Sequence, residues 1–119
     1  AEKLSMSELS DLQCQATPSD APLLSPEQIA ELLPQIPGWS VETHGQTPQL
    51  EKTFSFKNFI EAMAFANLIT PIAEANDHHP AVLVQYGSVR VNWWSHSIGG
   101  LHLNDFALAA KTNKVYSNL

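Results

Sequence analysis

The stretch "AVLVQYGSVRVNWW", residues 81 to 94, carries apolar positions on both sides of a glycine-serine break. Apolar and polar residues that alternate every second position mark a strand with one buried face. A two-residue Gly-Ser break is hairpin chemistry. A hairpin is marginal alone in water and must cover one face with other elements. With Gly87 and Ser88 as the loop, Tyr86 pairs with Val89, Val84 with Val91, Val82 with Trp93 and, further out, His79 with His96. Val82, Val84, Tyr86, Val89, Val91 and Trp93 then share the core face. His79, Ala81, Leu83, Arg90, Asn92, Trp94 and His96 share the other, with directly opposed Cβ atoms about 5 Å apart.

The remaining segments supply the cover. "LSPEQIAELLPQ" reads as a helix with Ser25 as N-cap, Pro26 at the first helical position and Gln28 completing a capping box. Pro34 ends it near Leu33. "GWSVE" and "QLEKTFSF" read as strands joined by "HGQTP", with Lys52 breaking the apolar series Leu50, Phe54, Phe56. "KNFIEAMAFANLITPIAEAN" reads as a helix with Phe59, Ala62, Met63, Ala66 and Ile69 inward, kinked or split at Pro71. "GGLHLNDFALAAKTNKVY" is a glycine turn and a last helix with Phe106, Ala109, Ala110 and Val115 inward. The order αββαββα predicts an α+β fold of two layers: a four-stranded antiparallel sheet with three helices on one face. Residues 1–22 are read as a flexible N-terminal arm with room for one helical turn, and residues 23–119 as a single domain.

The balance of 6 basic against 12 acidic residues, net −6, argues against nucleic acid as a partner, which needs a basic footprint. No apolar run approaches the roughly 18 residues of a membrane span, so no membrane partner is expected. Cys14 stands alone, so neither an internal disulfide nor a cysteine zinc cage can form. A cytoplasmic location is the expectation.

"NDHHP" and "WWSHS" hold the candidate chemistry. Three of the five histidines fall here: His78, His79 and His96. Imidazole donates and accepts protons near neutral pH, so such a cluster suits acid–base work. Glu74, one helical turn before His78, favours imidazolium there. Trp94 or Trp39 could stack on a flat substrate. His44 reads as a plain surface residue, His102 as part of the loop or helix start, and Trp93 as core. Asp105 and Glu74 could equally be ordinary helix charges. A His-ligated zinc site is the chemical rival, ranked below acid–base work because no cysteine is near and adjacent histidines rarely aim both rings inward.

Taken together, "IPGW", "LEKTFSFKNF", "EANDHHP" and "QYGSVRVNWWSHSIGGLHLNDF" resemble the pterin-4a-carbinolamine dehydratases, above all the bacterial type, from about Leu24 to Tyr116. Glu74, His78, His79, Pro80, Tyr86, His96 and Asp105 match the family's pattern. The resemblance implies a hydro-lyase that removes water from 4a-hydroxytetrahydropterin to give quinonoid dihydropterin, within tetrahydrobiopterin recycling for aromatic amino acid hydroxylation. It implies catalytic His78, His79 and His96, with Pro80, Ser95, Ser97 and Ile98 at the substrate and Glu74 and Asp105 in support; Trp94 joins the substrate-binding set as the candidate stacking ring. It further implies no cofactor and no metal, a homodimer or homotetramer, and a functional link to phenylalanine hydroxylase. His79 and His96 are expected as the central pair. The second reading it allows is a dimerisation or transcriptional coactivator protein acting through helical surface.

Overall fold

The computed structural model describes residues 6–12, 14 and 17–119. Helix α1 (Met6–Asp11) and helix α2 (Pro26–Leu32) precede strands β1 (Ser40–His44) and β2 (Thr47–Ser55). Helix α3 (Phe59–Ala75), strands β3 (Ala81–Gln85) and β4 (Ser88–Trp93) and helix α4 (Leu103–Ser117) follow. The four strands form one antiparallel sheet in the order β1-β2-β4-β3. The α+β class and the order αββαββα of its main body are as the sequence predicts, with α1 added in front.

Local chemistry explains the element ends. The Ser25 hydroxyl accepts from Gln28 N, and the Gln28 side chain accepts from Ser25 N, so both halves of the capping box are made. The α-helix then gives way to a 3-10 turn, Leu33–Gln35, that holds Pro34. Gly45 turns the first hairpin with φ +65°, a left-handed value suited to a residue without Cβ. Asn58 caps α3 by accepting from Glu61 N.

Three expectations are corrected. The β3–β4 register pairs Val84 with Val89 and Val82 with Val91. The loop is therefore Tyr86-Gly87, and Tyr86 is exposed in the turn instead of facing the core. The slip is two residues on one strand, so each remaining strand residue keeps its face. Second, α3 runs unbroken through Pro71, so the proline does not split it. Third, its inward stripe is Ala62, Phe65, Ile69 and Ala73, while Phe59 and Met63 are partly exposed. Phe65 fits among Phe54, Phe56 and Tyr116 at ring distances of 4.9–5.7 Å, which fixes the helix rotation.

Helix α4 is the centre of the helical layer. Phe106 through Ala110 are all fully buried because α1 covers the side of α4 turned from the sheet and buries Leu9 there. Trp93 Nε1 donates to Thr112 Oγ1, and Trp39 Nε1 to Asn113 Oδ1, so both indoles are satisfied inside. Trp39 packs edge-on against Phe54 in the core and is no stacking platform for a substrate. Lys52 keeps the core side of β2 with its Nζ 4.7 Å from the centre of the Phe54 ring and donating to Pro37 O and Asn113 Oδ1. Burial pushes its ammonium below the usual lysine range.

The other sheet face is polar. Asn92 Nδ2 donates to Gln49 Oε1 and Glu51 Oε1, both at 3.0 Å, and His44 Nε2 sits 2.9 Å from Glu51 Oε1. The Asn92 hydrogen bond is the main reason that the Glu51 carboxyl lies below the ordinary carboxylate range; partial burial opposes it, and His44 and Arg90 assist. A carboxyl with a lowered folded-state value stabilises the fold above its unfolded value, and that contribution is lost as pH falls through the folded value. Glu51→Gln should therefore show a shallower acid loss of stability than the parent in denaturant titrations across the carboxylate range. Identical acid profiles would reject the assignment.

Candidate active site

The histidine pair owes its geometry to the way α3 stops. Asn76 caps the helix, its Nδ2 donating to Ile72 O and its Oδ1 accepting from Cys14 N. Asp77 follows at φ +48°, a left-handed conformation that aspartate tolerates better than most residues. His78 N then returns to Ala73 O. This single reversal sends His78 inward and leaves His79 at the surface. Pro80 carries the chain into β3.

His78 is 5% exposed. Its Nε2 lies 2.7 Å from Asp105 Oδ1 and 3.1 Å from Trp94 O. Both partners are acceptors, so Nε2 bears the proton. Asp105 is fully buried in the first turn of α4. Besides His78 it receives Ser95 Oγ and His102 N at Oδ2, each at 2.9 Å. His102 is the N-cap of α4, so this carboxylate also completes a capping box. The helix N-terminus favours its negative charge.

His79 Nε2 is hydrogen-bonded to Glu74 Oε2, with both side chains largely exposed. His96 Nε2 donates to His79 O at 3.1 Å, and its ring stacks on Trp94 at 4.3 Å. His96 therefore also holds its proton at Nε2. Among the described residues, none of the three Nδ1 atoms has a protein hydrogen-bond partner. The three imidazoles line one open cavity of about 230 Å³ together with Thr17, Asp77 and Ser97.

The route to this convergence differs from the sequence reading. In the observed register His79 and His96 are not opposed across the hairpin, because the β3–β4 ladder ends at Ala81 and Asn92. They meet through the loop after β4, where Ser95 and Gly100 form an isolated antiparallel bridge that turns His96 back. Ser97 is on the cavity wall, its Oγ donating to Thr17 O at 2.7 Å. Ser95 is fully buried behind the wall, and Ile98 is half-buried in the bridge loop. Pro80 lies with Glu74 on a neighbouring hollow of about 220 Å³ that His79 also borders. Sequence reasoning missed Thr17 and Asp77. The position of Asp77 between a helix end and His-His-Pro could have suggested it; nothing local marks Thr17. Among the described residues, no group of three or more His, Cys, Asp or Glu could hold a metal ion. Nor is any helix long and apolar enough to cross a membrane.

Comparison with known proteins finds similar structures and one family model. A solved structure titled transcriptional coactivator/pterin dehydratase, from Brucella melitensis, matches with a TM-score of 0.71 and 29% identity, over 79% of this chain and 98% of that one. A pterin dehydratase-like protein described as a RuBisCO assembly factor in the alpha-carboxysome shares the fold, with a TM-score of 0.56 at 20% identity over 66% of this chain and 88% of that one. The family model for pterin 4 alpha carbinolamine dehydratase matches residues 22–115. With most of its length matched, this chain belongs to the pterin 4 alpha carbinolamine dehydratase family.

Proposed function

We propose that this protein is a 4a-hydroxytetrahydropterin dehydratase that works by histidine acid–base catalysis. The observation that carries the reading is the convergence of His78, His79 and His96 on one cavity with every Nε2 engaged by the protein. Each ring then offers Nδ1 for proton exchange with a bound molecule. In the reaction one imidazole takes the proton from N5 of the pterin. A second protonates the hydroxyl on C4a. The C4a–O bond breaks, the N5–C4a double bond forms, and water leaves. Asp105 holds the His78 ring, and Glu74 holds that of His79. Trp94, stacked on His96, and Ser97 and Pro80 flank the substrate, with Ser95 and Ile98 shaping the loop that carries His96. The product, a quinonoid dihydropterin, would return to the reductive recycling of tetrahydrobiopterin in the cytoplasm, which links the enzyme functionally to phenylalanine hydroxylase.

The test is turnover of 4a-hydroxytetrahydropterin by the purified protein before and after treatment with a chelator. Full activity after chelation is expected. Activity lost and then restored by zinc would replace this mechanism with a metal one, and a folded but inactive protein would reject the enzyme.

Exposed apolar surface supports self-association as part of the same proposal. β3 is an edge strand with Val82 38% and Leu83 43% exposed, and unpaired edges invite a second chain. Helix α3 adds Ile60, 80% exposed, and Phe59, 48% exposed. A homodimer or homotetramer is expected in light scattering; a particle of only 13.1 kDa would reject it. The same α3 surface suits a protein-binding role of the kind named in the Brucella structure's title.

A further inference from the structure

The family match begins at residue 22, yet the candidate cavity includes Thr17. This threonine is 8% exposed and tied down at every polar atom it offers the site. Asn104 Nδ2 donates to Thr17 Oγ1 at 3.1 Å, Thr17 Oγ1 lies 3.1 Å from Ser95 Oγ, and Ser97 Oγ donates to Thr17 O at 2.7 Å. Other contacts fasten the same segment: Lys111 Nζ donates to Ser10 O, Cys14 N to Asn76 Oδ1, and Leu9 is fully buried.

The direction of each proton in this chain is fixed by counting. A serine hydroxyl has one hydrogen. That of Ser95 goes to Asp105 Oδ2 at 2.9 Å. Ser95 Oγ can then only accept from Thr17, so Thr17 donates. Thr17 Oγ1 in turn accepts from Asn104, which has amide hydrogens to give. The result is a one-way series, Asn104 to Thr17 to Ser95 to Asp105, that ends on the carboxylate gripping His78 Nε2 at 2.7 Å. Serial hydrogen bonds polarise one another, and burial strengthens each.

We propose that Thr17 is a positioning residue of the dehydratase: its hydroxyl holds the Ser95 proton on Asp105 and so fixes the carboxylate that orients His78. Thr17, although outside the family match, thereby becomes a structural component of the site. Thr17 touches no reacting atom in this role and acts through Ser95 and Asp105. The inference rests on the dehydratase reading for its kinetic consequence and on the hydrogen-bond series alone for its structural one.

The experiment compares Thr17→Val, which keeps the shape and removes the hydroxyl, with Thr17→Ser, which keeps the hydroxyl. Two readouts are taken on the purified full chain. One is kcat and KM for 4a-hydroxytetrahydropterin. The other is the proton NMR resonance of the His78 Nε2–H, assigned by its absence in His78→Gln. Thr17→Val should lower kcat by roughly tenfold, the scale for one hydrogen bond feeding a charged group, with KM little changed. It should also shift or broaden the His78 resonance, and Thr17→Ser should resemble the parent in both. Parental kcat and an unmoved resonance in Thr17→Val would overturn the proposal. A loss in Thr17→Ser that equals or exceeds that in Thr17→Val would also overturn it, since the threonine methyl, which valine keeps and serine lacks, would then matter at least as much as the hydroxyl. If the parent itself fails to turn over the pterin, the dehydratase reading falls, and the resonance alone decides whether Thr17 governs His78.

Discussion

Asp105→Ala is expected to lose stability and turnover together. The carboxylate receives three donors, from His78, Ser95 and the His102 backbone, in a fully buried position. Removing it takes an acceptor from all three, two of them on the buried residues His78 and Ser95. Each buried polar group left without its partner costs about 1–3 kcal/mol. The His78 ring keeps only the Trp94 carbonyl at Nε2, so its tautomer and tilt are less well fixed, and kcat should fall by at least about a hundredfold. Asp105→Asn separates the effects. An amide preserves volume but turns one donor group toward a site that supplies only donors. It should be less destabilised than the alanine variant and still be slow. Denaturant midpoints and single-substrate kinetics on both proteins check this. A parental midpoint and parental turnover in Asp105→Ala would mean that the carboxylate neither anchors α4 nor serves His78.

The second large effect falls on activity alone. His79→Ala and His96→Ala should each lower kcat by about 10²–10⁴-fold, the usual contribution of a positioned acid or base. Both rings are exposed, and His79 pairs with an exposed Glu74. Exposed ion pairs contribute about 0–1 kcal/mol, so both variants should unfold near the parental midpoint. Near-normal rates in both would end the acid–base assignment. His78→Ala differs from these two, because its ring is buried against Trp93 and its loss also leaves Asp105 short of a partner.

These predictions rest on features of unequal visibility in the sequence. The strand faces of β3 and β4 were readable because alternation has a period of two, and a two-residue slip leaves parity untouched. The loop position was not, since Tyr86-Gly87 and Gly87-Ser88 both satisfy the same local chemistry. The slip removed the predicted His79–His96 pairing, and the bridge between Ser95 and Gly100 brought the rings together by another path. The rotation of α3 was set by Phe54, Phe56 and Tyr116, all distant in sequence, which chose Phe65 over Phe59 and Met63. The Ser25 capping box was legible because its partners lie three residues apart. Thr17 was not, because its partners Ser95, Ser97 and Asn104 lie 78 to 87 positions away.

The left-handed turn at Asp77 sets two consecutive imidazoles on opposite sides of the boundary between protein and solvent. Dissolved ions reach the carboxylate contact of only one of them. Raising ionic strength screens the contact of His79 with Glu74 and leaves that of His78 with Asp105 nearly untouched. One dipeptide thus holds a carboxylate contact that senses the medium beside one insulated from it.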